Sequence, residues 1–549
     1  MSNARHETLF IFMIIPLILA ATFIPYLIGY SHTPPGEVFT WIIPVTNVDA
    51  HTWLAMMRQG QEGHLLFQNK YWIEPHPSII FHPFWLTLGS LSRSLKIPLI
   101  AAYHLGRVLS GFFLLWFLYL FIANFFEQPA ERCWVFLLTV LGSGLGWLQA
   151  LGVPMMSIDL WLPDVFVFYS LYGFPHIVFA QALIILTFMC YLKAGAQKSR
   201  LTALLGGVCC LLLTFIHPLD GLLVIGVIVL HTLDSFIGNK KIALFIPVGL
   251  IALLTLPAMA YNIYLYALQP VAKIMTREYF FKSPHSLWLI TGFGLLLPPA
   301  ILGIYWSRRL PAFRLLTLWL LAALILAYLP LPHQRKFLEG SFIPLGLLAG
   351  YGLFESLQRW GQYRVYILNK KGILASMLLL LAALGNIYIL AADASAFKNY
   401  RYEEYMKNTE AGQPPYLRKE FLEAFSWLEQ NTTGTEAVIS SVHSGNLIPA
   451  YAGNPVFLGW WYSIPQAALK QKTVKAFFFD QAAESSRESF LRKTKIKYVF
   501  YGPWEKQLGK YDPQQSPYLV KVFQNSLITL YRVTDGVKSE SPVAESPRR

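Results

Sequence analysis

The sequence predicts a polytopic α-helical membrane protein: about 11 transmembrane helices, interfacial helices in the first outer loop, and a small C-terminal extracytoplasmic α/β domain. Three observations predict it. Of 549 residues, 55% are hydrophobic and 13% charged, and the mean hydropathy is +0.44; a soluble globular chain carries about 25% charged residues. Apolar stretches close to the ~20 residues that cross a bilayer recur up to position 392. Beyond it the composition changes to short β-branched and aromatic runs between turn signals.

The first apolar stretch, 9–30, follows MSNARHETLF, which has one Arg and no small-residue cleavage site, so it reads as a retained signal anchor. Further spans are expected at 105–126, 133–151, 176–194, 201–217, 220–236, 241–262, 286–306, 312–330, 341–358 and 372–392. The segment 79–100 is short, broken by Pro83 and Pro98, and carries Arg93 and Lys96; it is expected to lie along the interface as an amphipathic helix. Basic loops fix the orientation. With the N-terminus cytoplasmic and 79–100 not crossing, the loops at 193–200, 238–241, 307–314 and 358–371 all face the cytoplasm. The segments 152–175 and 217–220, which lack Lys and Arg, then face outside, as do 31–104 and the region after 392.

That last region has strand composition at 437–441, 454–461, 497–502, 518–524 and 526–533, and helical periodicity at 416–430 and 472–493. The expected division is a transmembrane domain over 1–392, an α/β domain over 393–537 and a disordered tail over 538–549. All four cysteines fall in apolar segments, so no disulfide framework is implied. The net charge of +14 is spread through loops between apolar runs, which points to membrane lipids as the surface partner and not to nucleic acid.

Polar residues collect in the expected outer loops. The first holds Asp49, His51, Glu74, His76 and His82; the second holds Asp159, Asp164 and His176. HPLD supplies His217 and Asp220, the loop at 263–285 supplies Arg277, and LPHQRKFLEG supplies His333, Arg335, Lys336 and Glu339. Ionisable groups at a membrane edge are costly unless paired or facing water, which makes them functional candidates. Outward cations oppose the positive-inside bias, so an anionic ligand such as a lipid phosphate is expected beside them. A carboxylate opposite such a phosphate suits a general base. Plainer readings exist: Asp49 as the N-cap of AHTWLAMMRQGQ, Asp159 and Asp164 as turn residues, and the histidines beside proline as helix ends. The spacing lacks a zinc signature, so no metal ligands are assigned.

Several stretches carry a family resemblance. VDAHTWLAMMRQGQEG is followed by HPFWLTLGSLSRSLKIPLIAAYHLGRVLSG with Arg107; SIDLWLPD takes the place of a second acidic loop; PHQRKFLEGSFIPLGLLAG and AVISSVHSGNLIPAYAGNPVFLGWW come later. Together with the architecture they resemble the GT-C superfamily of glycosyltransferases: protein O-mannosyltransferases, aminoarabinose transferases and oligosaccharyltransferase catalytic subunits. The chain departs from the O-mannosyltransferase branch, which carries Asp-Glu where Asp49 is followed by Ala50.

The resemblance implies transfer of a hexosyl or pentosyl group from a polyprenyl-phosphate donor to a lipid, glycan or protein acceptor. Transfer would take place on the outer face of a bacterial-type inner membrane, with inversion. It makes Asp49 the catalytic base. Arg277, His333, Arg335 and Lys336 would hold the lipid phosphate. His51, Glu74, His76, Asp159, Asp164 and His176 would shape the acceptor cavity or bind an optional divalent cation. Two rival readings are a lipid or solute transporter, for which no pseudo-symmetric halves are visible, and a catalytically inactive scaffold of the same fold.

Overall fold

The computed structural model describes residues 2–239, 244–269, 281–361, 371–407, 412–459, 464–479 and 482–534. It forms two compact units. The first comprises Met1–His32, Trp41–Thr46 and Phe81–Tyr400; the second comprises Thr33–Thr40, Asn47–Ile80 and Arg401–Arg549. The expected boundary at 392 follows the sequence order, whereas the second unit also takes in two pieces of the first loop.

The first unit is helical. Among the described residues, nine helical stretches are long and apolar enough to cross a membrane: Glu7–Ser31, Leu99–Ile122, Pro175–Gln197, Pro218–Gly238, Phe245–Leu268, Ser286–Ser307, Pro311–Tyr328, Gln334–Arg359 and Ser376–Lys398. The segment expected at 201–217 is a shorter apolar helix, Arg200–Ile216, capped by Ser199, whose hydroxyl accepts from the Thr202 N–H.

The segment expected at 133–151 is not one helix. Pro129–Leu141 ends at Gly142, and a separate short 3-10 helix covers Gly146–Leu151. The backbone between them is held elsewhere: Ser143 N donates to Ala382 O at 2.7 Å, and Gly144 N donates to Asp159 Oδ2 at 3.0 Å. A Cβ on Gly144 would lie 2.5 Å from Thr291 O, so only glycine lets the chain pass. Apolar composition alone could not show this break.

The segment at 79–100 contains the 13-residue helix Pro83–Leu95. It buries Phe84, Trp85, Leu86 and Leu88 and leaves Arg93 exposed. At about 1.5 Å per residue it is too short to span. Arg107, 2% exposed, donates to Thr22 Oγ1 at 2.7 Å and Leu171 O at 3.2 Å. It also lies over the Phe23 ring at 4.1 Å. It ties helices together.

In the second unit, β1 (Glu37–Phe39) pairs antiparallel with β2 (Tyr416–Arg418). A four-stranded sheet follows from β3 (Ala437–Ile439), β4 (Ile496–Tyr501), β5 (Leu519–Gln524) and β6 (Thr529–Val533), in the order β3-β4-β6-β5. Its β3–β4 pair is parallel and the others are antiparallel. The strand expected at 454–461 is only a bridge between Val438 and Val456. The helix expected over 472–493 is divided into Ala467–Phe478 and Glu484–Thr494.

The helix Asp49–Gln61 packs on Val442–Tyr451 within this unit. Arg58 fastens it: Nε reaches Ala450 O at 2.9 Å, Nη2 reaches Tyr451 O at 2.7 Å, and Nη1 reaches Glu429 Oε1 at 2.7 Å. Lys70 Nζ donates to Gly434 O at 2.8 Å, and Tyr71 OH to Asn446 O at 3.1 Å.

Candidate functional site

In the helical unit, three chain reversals place charged side chains together. The first is the turn before Pro175–Gln197. The one-turn helix Pro163–Val165 presents Asp164, whose backbone carbonyl accepts from Gly340 N at 2.9 Å and Gln181 Nε2 at 3.1 Å. Its carboxylate receives Lys336 Nζ at 2.7 Å. Burial pushes the Asp164 carboxyl up, but the Lys336 and Arg335 cations outweigh it and hold the group below its ordinary range.

The second reversal is HPLD. Pro218 starts the helix Pro218–Asn239 at the position proline favours, which ends the preceding helix at Ile216 and turns His217 out between them. Gly221 lets the new helix press close: its Cβ would fall 2.0 Å from Thr214 Oγ1. His217 Nδ1 then lies 3.0 Å from Glu339 Oε2 and 3.6 Å from Asp220 Oδ2. The His176 ring stacks on that of His217 at 5.3 Å, and Trp85 packs on His176 at 5.1 Å. His82, 6.4 Å from His176 between ring centres, is pushed down to about 3 by burial and then by His217.

The third reversal carries PHQRKFLEG. His333 adopts a left-handed backbone, φ 54°, and starts the 3-10 turn Gln334–Leu338. Its ring packs on Phe281 at 5.4 Å, and burial followed by the Lys336 and Arg335 charges lowers its pKa. Arg335 lies over the rings of Phe281 at 5.0 Å and Trp161 at 5.9 Å. Its Nε is buried without an acceptor. Among the described residues, Lys336 is the neighbour that is ion-paired, and Arg335 forms no such pair. Arg277 lies outside the described residues.

Asp159 has a different setting. Only 1% exposed, it accepts from Gly144 N at 3.0 Å and from the Ser157 hydroxyl. Burial pushes its carboxyl up to about 6. These contacts fasten the backbone around Gly144.

The other expected site residues fall in the second unit. Asp49 is the first residue of its helix, with Val48 at the cap position and no side-chain cap bond; the expected N-cap role is therefore displaced by one residue. A carboxylate in that first turn still meets the positive end of the helix dipole. His51 is 1% exposed, with Nδ1 2.5 Å from Asn47 O, and burial lowers its pKa to about 4. Glu74 pairs with Lys470 at 2.8 Å. His76 has both ring nitrogens engaged, Nδ1 with Glu74 O at 2.8 Å and Nε2 with Asn69 N at 3.1 Å, so it is a neutral imidazole donating through Nδ1.

The structure thus brings together Asp164, His176, Arg335 and Lys336, and adds His82, His217, Asp220 and Glu339. These last four stood among the polar loop residues of the sequence without a role. The available signal was histidine before proline at two chain reversals, with an acid three residues on in HPLD.

No family model matches the chain, and no curated protein matches it in sequence. Solved structures do match. The chain is similar to ArnT from Cupriavidus metallidurans bound to undecaprenyl phosphate, with 11% identity over 96% of this chain and 99% of that one, at a TM-score of 0.53. It is similar to the arabinofuranosyltransferase AftD from Mycobacteria (14% identity, 95% and 40% covered, TM-score 0.54). The apo oligosaccharyltransferase of Archaeoglobus fulgidus also matches (16% identity, 88% and 69% covered, TM-score 0.52). The chain shares the fold of the GT-C glycosyltransferases over most of its length.

Proposed function

We propose that the protein is an integral membrane glycosyltransferase that moves a sugar from a polyprenyl-phosphate donor to an acceptor on the extracytoplasmic face. The observation that carries this reading is Arg335. A guanidinium held over two aromatic rings, with a buried Nε lacking an acceptor, suits a phosphate better than a structural ion pair. Lys336 is committed to Asp164 and supplies field more than a direct contact; His333, two residues before Arg335, opens the same turn. The fold adds support, since ArnT of this fold holds undecaprenyl phosphate. One archaeal oligosaccharyltransferase of the fold is described in complex with a dolichol-phosphate and an inhibitory peptide.

In this reading Asp49 takes the proton of the acceptor nucleophile as the sugar carbon is attacked. The phosphate leaves on its lipid, and the configuration at that carbon inverts. A bacterial-type inner membrane, with the N-terminus cytoplasmic, suits the basic loops. Asp49→Asn, with normal insertion and folding, is expected to lose about 10²–10⁴-fold in transfer rate, the scale of a missing general base. Arg335→Ala is expected to weaken polyprenyl-phosphate binding more than acceptor binding. Transfer assays of purified variants in detergent, with several polyprenyl-phosphate sugars, check both. Wild-type turnover in the Asn variant ends the base assignment, and equal losses of both ligands make Arg335 structural.

A further inference from the structure

We infer that His217, Asp220 and Glu339 form a site for one first-row divalent cation, such as Zn²⁺ or Mn²⁺, in the helical unit. The inference does not depend on the proposed sugar transfer, because it rests on side-chain geometry alone. Each residue offers a ligand atom, and the three atoms lie within 4.8 Å of one another. Two of the separations, 3.0 and 3.6 Å, match those expected around a common ion. Atoms each about 2.1 Å from one metal lie about 3.0 Å apart at a right angle and about 3.4 Å apart at the tetrahedral angle.

The second observation is burial without partners. Asp220 is 1% and Glu339 0% exposed. None of their four carboxylate oxygens has a hydrogen-bond donor in proper geometry. Two carboxylates so placed are costly unless a cation compensates them. The neighbouring ammonium, Lys336 Nζ, is held by Asp164 at 2.7 Å. An imidazolium at His217 supplies one positive charge; a dication supplies two and occupies both carboxylates.

The ligand set also selects the ion. One imidazole with two carboxylates suits zinc, manganese or ferrous iron better than magnesium or calcium, which prefer oxygen alone. The sequence positions favour a fixed geometry: His217 sits between two helices at Pro218, Asp220 on the first turn of the second, and Glu339 beside Gly340, whose φ is +66° and whose N–H donates to Asp164 O. His176, stacked on the His217 ring, limits its rotation.

The test uses the full chain purified in detergent, stripped with a chelator and dialysed against Zn²⁺ or Mn²⁺. Metal analysis is expected to give one retained equivalent that Glu339→Gln and Asp220→Asn lose, with at least tenfold weaker retention. A wild-type chain that retains neither ion, its His217 bridging the carboxylates as an imidazolium, overturns the site. So do variants that retain the ion fully. Should both variants fail to fold, pulsed electron paramagnetic resonance of the Mn²⁺-loaded wild type decides. Coupling to one imidazole nitrogen is expected, and its absence overturns the proposal. No sugar donor enters these measurements, so this proposal and the transfer reaction can fail separately.

Discussion

The His217 cluster and the Glu74–Lys470 pair draw on similar charged side chains and treat them oppositely. In the second unit Lys470 is the buried partner, 6% exposed, while Glu74 keeps 47% of its side chain in solvent. The charge that leaves water has one partner at 2.8 Å and a ring, Phe457, under its ammonium at 5.2 Å. In the helical unit Asp220 and Glu339 are both buried, and their oxygens have no donor in hydrogen-bond geometry, with His217 Nδ1 3.0 Å from Glu339 Oε2. A pair with one wet member is a fastening that the rest of its unit can tolerate losing. Two dry carboxylates without aligned donors are costly unless a cation or a proton neutralises them.

The contrast can be broken at graded cost. The largest effect on stability is expected at Lys336→Met, which leaves the Asp164 carboxylate buried with its ion pair removed. Such removals cost about 3–5 kcal/mol, and the low end applies because 32% of the Lys336 side chain is exposed. A thermal or denaturant unfolding curve in detergent that shows less than about 1 kcal/mol would place the Asp164 charge in contact with water.

Next comes acid sensitivity in the second unit. His51 has a folded pKa of about 4 against 6.5 for the free group, with burial the largest cause. The unfolded chain therefore binds the proton more readily. The stability from keeping His51 neutral is complete above about pH 6.5 and is lost as pH falls toward about 4. The loss by pH 5 is about 2 kcal/mol. His51→Gln is expected to remove that much from the acid slope of unfolding, and an unchanged slope would mean that other buried histidines set it. The smallest effect is expected at Glu74→Gln, about 1 kcal/mol, because the amide still accepts from Lys470 and the carboxylate was half in water. A loss as large as that of Lys336→Met would erase the distinction between the two regions.

Much of the helical unit was legible from composition, because a helix in lipid must satisfy its own backbone and be apolar for its whole length. That 79–100 holds only a short helix, Pro83–Leu95, was legible from its prolines and charges. The break at Gly142 was not, since the contacts that stop the helix come from Asp159 in the next loop and from Thr291 and Ala382 far along the chain. Strands 437–441, 497–502, 518–524 and 526–533 were legible from β-branched and aromatic runs. The run at 454–461 has the same composition but forms one bridge, because a strand needs a partner edge that local sequence does not specify.

The site was legible as residue types and not as a constellation. Asp164 and Lys336 were singled out separately, and the 172 positions between them hid their contact. Glu339 was named without a role for the same reason: its neighbouring imidazole, His217, is supplied from another helix junction. Conversely, Glu74 and His76 stood out in sequence as a polar pair, yet their hydrogen bonds are spent on neighbours in their own unit.

The composition of the second unit also sets an order of events during synthesis. Its early pieces, Thr33–Thr40 and Asn47–Ile80, leave the ribosome long before Arg401 does, with about 320 residues of the first unit in between. At translation speeds of about 5–20 residues per second, that interval is roughly 15–65 s. During it β1 lacks β2, and Arg58 lacks the Ala450 and Tyr451 carbonyls that will hold it. The helix Asp49–Gln61 must therefore wait with its apolar face uncovered, a target for chaperones, proteases or a lipid surface until about the last quarter of the chain arrives.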